Sequence, residues 1–373
     1  MKNYCPNSDQ GLMVDPAGDI TPCCKVINVP SFKIQDGVKK YYDSEWYKTF
    51  KKAHLNDERH PACSRCYDEE DNGFKSKRNI DSDKLGSGFN YDKKDNPDIK
   101  NFEMTFGNLC NLACRICFPL YSSKWATEKR KIDGKKYPIY TWHQDKDVMQ
   151  EIYDIIKKVE RITIVGGEPF LIEINEHSEF LKHLIDIDQA KNVTLHYTTN
   201  GTNYPTPELL TFFKSFKEID IQLSIDDIGE RFEYNRWPAK WSKVYSNIKK
   251  YQTLKKENKN INLSISLTIS AFTIYYVDDF VLWCLKEKLP FPYFNQLTYS
   301  IYNRASVFKK ETKDIIRKKL LSSKSKKIKN LVSWLDQSDD SGNFGKFEEQ
   351  VQLIDKMRKQ NFTKTFSGLH KIL

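Results

Sequence analysis

The sequence predicts an α/β fold: an open, partial (β/α)6 barrel, preceded by a small cysteine-rich region and followed by a helical tail. Three observations carry this reading. Short apolar runs alternate with segments of helical spacing from residue 102 onward. Six strand–helix units in series imply parallel strands, because each helix supplies the crossover that parallel pairing needs. Eight of the nine cysteines lie before residue 118, so the cysteines belong to one part of the chain and are not scattered as packing residues.

The expected strands are 102–106, 161–165, 193–198, 219–225, 262–270 and 292–298. Between them, Val148, Ile152, Ile155 and Ile156 share one face of a helix over 148–158, and Leu209, Leu210, Phe212 and Phe213 do the same over 206–216. Segments 241–256 and 276–288 also have helical spacing. Six strands are too few for a closed eight-stranded barrel, so the sheet is expected to remain open. In such folds the chemistry sits at the C-terminal ends of the strands.

Residues 1–80 read differently. Gly11 to Val14 and Asp19 to Thr21 flank the turn Asp15-Pro16-Ala17-Gly18, a hairpin signal. A helix follows around Tyr41 to His54. Residues 81–100 read as a linker, because Ser82 to Lys100 is rich in Asp, Lys, Gly and Asn. The barrel is assigned to 101–305. Residues 306–373 read as Lys-rich helices broken near Ser338 to Gly345. There is no internal repeat.

The formal charge is +10. The lysines are spread along helices, and no aromatic-interleaved basic motif accompanies them, so the charge does not point to nucleic acid. Lys324 to Lys329 reads as a solvated face or loop. No apolar run approaches the roughly 18 residues that cross a bilayer. The polar stretch Met1 to Gln10 has no signal-peptide core. The expectation is a cytoplasmic protein whose cysteines serve a metal or catalysis and not disulfides.

The segment Gly107-Asn108-Leu109-Cys110-Asn111-Leu112-Ala113-Cys114-Arg115-Ile116-Cys117-Phe118 directly follows the first expected barrel strand. Its cysteines are spaced C-x3-C-x2-C. Thiolates are the ligands of iron–sulfur clusters. Three of them leave one iron of a cubane open to a cofactor. A structural zinc site would want four ligands.

This segment resembles the radical S-adenosylmethionine (SAM) superfamily, whose C-x3-C-x2-C signature is followed by an aromatic residue, here Phe118. The resemblance covers roughly residues 100–300 and implies a partial TIM-like barrel. It implies a 4Fe-4S cluster on Cys110, Cys114 and Cys117, with SAM bound at the open iron. One electron would cleave SAM to methionine and a 5′-deoxyadenosyl radical, which abstracts hydrogen from a substrate. The cofactor carries that chemistry and the protein positions it.

Further motifs fall at successive strand ends. Gly166-Gly167-Glu168-Pro169 looks like the family's GGEP motif, which contacts the SAM amino group. Two glycines let backbone carbonyls approach an ammonium, and Glu168 can add charge. Thr199-Asn200-Gly201 is similar to the TNG found at this position in relatives. Ser224-Ile225-Asp226-Asp227 ends the next strand, and Arg236 lies twelve residues after Ser224. In the peptide-modifying branch of the family such a serine contacts the SAM ribose and carboxylate region. An arginine at this spacing binds the carboxylate, which its fork geometry suits. Asp226 either binds a ribose hydroxyl or caps the loop.

The N-terminal region carries Cys5, Cys23, Cys24, Cys63 and Cys66. The run from Cys5 through Gly18 to Cys23, then Cys63-Ser64-Arg65-Cys66, resembles the auxiliary-cluster modules SPASM and its shorter form, twitch. No cysteine lies between Tyr67 and Arg78, so the pattern is the twitch-like one. The resemblance implies a second 4Fe-4S cluster on Cys5, Cys23, Cys63 and Cys66. Adjacent cysteines point in different directions, and the spacing from Gly18 selects Cys23 over Cys24. If Cys5 is not a ligand, three thiolates remain and this cluster is open to substrate. A four-cysteine zinc site is the rival. In most relatives the module follows the barrel, whereas here it precedes it.

Other residues carry bland readings. Cys284, in Val281-Leu282-Trp283-Cys284-Leu285, reads as a small buried hydrophobe. His60 reads as a loop histidine and His196 as core packing. Tyr197 and Tyr299 lie near strand ends, and none of these is assigned catalysis. The whole reads as a radical SAM enzyme acting on a peptide or protein. The rivals are radical oxidation or rearrangement of a small molecule such as a sugar or nucleotide and, in a different class, a non-catalytic zinc-binding interaction protein. The expected partners are the substrate and an electron donor such as flavodoxin or ferredoxin.

Overall fold

The computed structural model describes residues 3–85, 98–171 and 175–373. The stretch 86–97, most of the expected linker, lies outside the described residues.

The architecture is α/β, and among the described residues the strands form one eight-stranded sheet. Its strands are β1 (Gly11–Val14), β2 (Ile20–Thr21), β3 (Asn101–Met104), β4 (Arg161–Ile164), β5 (Thr194–Thr199), β6 (Glu218–Ser224), β7 (Ile261–Ile269) and β8 (Tyr293–Gln296). The spatial order is β2-β1-β3-β4-β5-β6-β7-β8. Every neighbouring pair is parallel except β1 and β2, which form the expected hairpin. All six strands read from the sequence beyond residue 100 are present. Helices occupy Lys146–Ile155, Pro207–Phe213, Trp241–Glu257 and Val277–Lys286, close to the four expected ranges.

The register explains why the sheet holds together. Leu12, Phe102, Ile162, Leu195, Ile219 and Ile261 are paired in one row. Val14, Met104, Ile164, Tyr197, Ile221 and Leu263 form the next. Both rows belong to the main core with Ile152, Phe180, Leu184, Val244, Ile248 and Phe280 from the covering helices. Strand side chains alternate between faces, so the opposite face carries Glu103, Thr163, His196, Asp220 and Asn262 in register. One face is oily and helix-covered, and the other is polar and charged.

Two features depart from the sequence reading. The N-terminal hairpin shares the main sheet: β1 adds a further parallel strand beside β3, with Gly11 opposite Asn101 and Val14 opposite Met104. The helix expected over 41–54 is two helices, Val38–Tyr42 and Glu45–Leu55. Ser44 causes the break, because its Oγ caps the second helix by accepting from the Tyr47 N–H at 3.1 Å. The tail forms helices Lys310–Ser322, Lys326–Lys329, Val332–Asp336 and Phe344–Arg358, with the expected interruption between the last two. Among the described residues no helix is long and apolar enough to cross a membrane.

Because β1 shares the sheet's core, Leu12→Ala is expected to cost about 2–5 kcal/mol. Thermal unfolding followed by circular dichroism and by tryptophan fluorescence should show one transition at lower temperature. A separate early transition confined to residues 1–80 would contradict the shared sheet.

Candidate functional site

The loop after β3 begins at Gly107, whose φ of 65° suits glycine. A Cβ there would lie 2.0 Å from the Tyr140 carbonyl oxygen. The loop has no regular structure, so its polar groups must find partners elsewhere. The N–H groups of Ala113 and Arg115 donate to the carbonyls of Trp237 (2.7 Å) and Asn235 (2.8 Å). These two bonds bracket Arg236 and set it opposite Cys114. The Leu109 carbonyl accepts from the Glu168 N–H at 2.8 Å. The Cys110 N–H donates to Ser123 Oγ at 3.1 Å, and Ser122 Oγ donates to the Leu112 carbonyl at 2.5 Å.

Burial raises the pKa of all three cysteine thiols of this loop. Cys110 and Cys117 are raised further by Cys114, so the three sulfurs share one locality; Cys117 is pushed up to about 12. Buried thiolates are costly without a positive partner. Three soft donors on one loop have the chemistry that an iron–sulfur cluster takes, and a cluster would keep them as thiolates.

Gly166 and Gly167 follow β4 with φ of 75° and 54°. A Cβ on Gly167 would fall 2.2 Å from the Leu109 carbonyl oxygen, so the strand-end turn presses directly on the cysteine loop. Glu168 is fully buried. Its Oε1 accepts from Thr199 Oγ1 (2.6 Å) and from the Phe170 N–H (3.2 Å), and Oε2 accepts from the Asn200 N–H (2.7 Å). Burial pushes this carboxyl up to about 7, against those three hydrogen bonds. Glu168 therefore staples the end of β4 to the end of β5. Asn200 continues the chain of contacts: its Nδ2 donates to Asn111 Oδ1 at 3.0 Å, and Asn111 Nδ2 donates to Thr202 Oγ1 at 2.9 Å. Pro169 offers its carbonyl to His177 Nδ1 at 3.1 Å.

Ser224 ends β6 and pairs in register with Ser266. Asp226 is nearly inaccessible. Its Oδ1 accepts from the Thr268 N–H at 2.9 Å, and its Oδ2 lies 2.7 Å from Arg236 Nη2. Burial works against the Arg236 charge, but Asp226, Cys114 and Cys117 outweigh it and hold the pKa above its ordinary value. The Nε of Arg236 is buried with no hydrogen-bond partner among the described residues. A fixed guanidinium beside the cysteine loop, with a spare donor, suits an anionic group such as a carboxylate. Phe118 packs on Tyr299 with ring centroids 4.1 Å apart. It lines a cavity of about 440 Å³ with Cys117, Phe272 and Asn303.

The second cysteine set lies in the N-terminal region, and several of its thiols influence one another electrostatically. Burial raises the thiol pKa of Cys5, Cys23, Cys63 and Cys66. Cys63 and Cys66 raise Cys5 further, and Cys24, Cys5 and Cys66 raise Cys23. Cys63 and Cys66 sit at the start of helix Ser64–Asp71. The Ile27 N–H donates to the Ala62 carbonyl at 3.0 Å, tying the segment after Cys23 to this helix. Cys24 is exposed, and its charged neighbours are Glu103 on β3, Lys77 and Lys25. A histidine does meet this set, and it is His54, whose Nε2 lies 3.5 Å from Cys63 Sγ. His60 instead accepts from the Ala62 N–H at 3.2 Å and packs against Phe50.

Cys284 is fully buried, as read from the sequence. His196 lies on the polar face of β5, 3.8 Å from Asp220, and not in the apolar core. Tyr197 is core, with its hydroxyl 2.8 Å from His177 Nε2. Sequence reasoning did not single out Asn111, Ser122, Ser123 or His54. Asn111 sits inside the cysteine motif, the one signal that pointed to it.

Residues 104–270 match the family model described as the radical SAM superfamily. No curated protein matches the chain. Similar solved structures include native anSMEcpe with bound AdoMet, at 19% identity over 53% of this chain and 52% of that one, TM-score 0.41. Native anSMEcpe with bound AdoMet and the Cp18Cys peptide aligns at 19% identity over 59% and 58%, TM-score 0.42. SuiB of Streptococcus suis bound to S-adenosylmethionine aligns at 14% identity over 58% and 45%, TM-score 0.38. The chain thus spans about half the length of these proteins.

Glu168→Gln puts an amide N–H₂ where one carboxylate oxygen now accepts. Leaving a buried donor unpaired costs about 1–3 kcal/mol. The expected result is a lower melting temperature and loss of the Asn200–Asn111 contact, visible as faster amide exchange in residues 109–115. Unchanged exchange there would show that the staple does not order the loop.

Proposed function

From the premise that this chain is an enzyme carrying a radical SAM domain, we propose that it abstracts hydrogen from a peptide or protein side chain or backbone. The observation that carries the radical chemistry is the trio Cys110, Cys114 and Cys117, half-buried on one loop at the C-terminal end of a parallel strand. Cys110, Cys114 and Cys117 would hold a 4Fe-4S cluster, which would supply one electron to cleave SAM into methionine and a 5′-deoxyadenosyl radical.

The chain's residues divide the remaining work. Backbone carbonyls of Gly166 and Gly167 receive the SAM ammonium, while Glu168 and Pro169 fix that turn. Arg236, oriented by Asp226, receives the carboxylate. Phe118, Thr199, Asn200 and Ser224 complete the SAM site at neighbouring strand ends. The sheet curls as a partial barrel with its polar face inward, and the substrate meets the radical above the C-terminal strand ends that carry the SAM site. Excluding water from that space protects the radical from side reactions.

Cys5, Cys23, Cys63 and Cys66 hold the auxiliary cluster, making residues 1–80 a twitch-like module joined to the sheet through β1. The mutual electrostatic influence of Cys5, Cys63 and Cys66 supports this set, and the spacing from Gly18 supports Cys23 as the fourth ligand. The peptide assignment rests on the SPASM/twitch-like cysteine pattern. The charged face of the sheet also suits a polar small molecule such as a sugar or nucleotide, which is the second reading. A low-potential donor of the flavodoxin or ferredoxin class supplies the electron, in the reducing cytoplasm.

Anaerobically purified protein should hold about eight irons per chain and almost no zinc, given two cubanes. Replacing Cys110, Cys114 and Cys117 together with alanine should abolish 5′-deoxyadenosine formation and leave about half the iron, because the other set keeps its ligands. Near-stoichiometric zinc with little iron would sink the proposal. Incubation with SAM and peptide pools, followed by mass spectrometry, separates the peptide reading from the small-molecule one.

A further inference from the structure

The C-terminal helix Phe344–Arg358 reaches back to the first cysteine loop. It ends at Arg358 because Lys359 takes a left-handed conformation, φ 55°. Arg358 is buried, with 5% of its surface exposed. Its Nη2 donates to the Ala113 carbonyl at 2.7 Å, across 245 positions of sequence. Its Nε and Nη2 donate to Glu128 Oε2 at 3.0 and 2.6 Å. The guanidinium lies 5.2 Å from the Trp125 ring centroid, and Trp125 Nε1 donates to the Cys117 carbonyl. Asp355, one turn earlier, pairs with Arg115 and accepts from the Phe362 N–H at 2.7 Å.

A buried cation thus holds the peptide carbonyl that precedes Cys114. That carbonyl belongs to the residue next to Cys114, so the Arg358 guanidinium sits one residue from the cluster loop's middle cysteine. Such a charge acts strongly where water is excluded. Reducing a cluster by one electron adds one negative charge, so a nearby cation stabilises the reduced form and a nearby anion opposes it.

We propose that Arg358 is a positioning residue for the cluster on Cys110, Cys114 and Cys117, and that the Arg358–Glu128 pair sets its reduction potential. The inference rests on the radical SAM reading but concerns residues outside the matched segment 104–270 in the case of Arg358.

Equilibrium reduction of the reconstituted full chain, followed by electron paramagnetic resonance, tests it. The signal that changes on adding SAM identifies this cluster. Arg358→Gln should lower the reduced-to-oxidised ratio at a fixed potential about tenfold, roughly 59 mV for one electron. Glu128→Gln should move the ratio in the opposite direction, and Arg358→Lys should restore most of the wild-type value. Iron per chain should stay the same in all three. Shifts of the same sign in Arg358→Gln and Glu128→Gln would overturn the proposal, because loosening the loop moves both alike. So would an unchanged ratio in both variants. Should Arg358→Gln not fold, a Glu128→Gln shift toward the oxidised form or no shift overturns it alone. A wild-type chain that binds no iron fails the radical SAM reading itself, before any variant is made.

Discussion

The backbone of the cysteine loop is the constraint on which the rest of the site depends. Residues 107–118 form neither helix nor strand, and Asn108, Leu112, Ala113 and Arg115 are buried. Buried amides in such a segment need partners from outside it. They find them on the turn after β4, on the segment after β6, on the start of helix Ser123–Asp133 and on the C-terminal helix. Each partner brings a functional group with it. The bond to Glu168 brings the two glycines, and the bonds to Asn235 and Trp237 bring Arg236. Satisfying the loop and assembling the site are therefore the same event.

Electrostatics sorts the two cysteine sets. Around Cys114 a cation is present on either side, Arg236 and Arg358, each tied to a carboxylate. Around Cys5, Cys23, Cys63 and Cys66 burial dominates, neighbouring thiols add to it, and Lys77, Arg78 and Lys25 work the other way. Lys77 joins the second set to the sheet, 3.4 Å from Glu103 on β3 and 3.2 Å from Asp81. Cys24 turns toward that same Glu103. The polar face of the sheet thus connects the two regions through ion pairs, and ion pairs there leave charged groups facing any polar molecule that enters.

What the sequence made legible was whatever local spacing encodes. Three cysteines on one loop, two glycines at a strand end and a period-two apolar pattern are short-range signals. The helix interruption at Ser44 was legible in principle, since serine before Glu45 is a cap signal, but the aromatic run through Tyr41, Tyr42 and Trp46 hid it. Pairing of β1 with β3 was not legible, because parallel partners about ninety positions apart leave no local trace. Asn111, His54 and Arg358 were missed for the same reason. Each is an ordinary polar residue until the fold places Asn200, Cys63 or Ala113 against it.

Both ends of the chain close on the site. β1 enters the sheet beside β3, the strand that launches the cysteine loop. At the other end, Phe362 and Phe366 pack on Tyr234 and Phe272, and this packing carries helix Phe344–Arg358 against the loop. Contacts so distant in sequence require large loops to close before they are rewarded. The loop's Ala113 carbonyl therefore depends on Arg358, 245 positions away, for its hydrogen bond. A cluster seated on Cys110, Cys114 and Cys117 would bind the folded chain and not the unfolded one, so it would reinforce the same contacts. The C-terminal extension is thereby part of the site's architecture, although no motif in its sequence marks it as such.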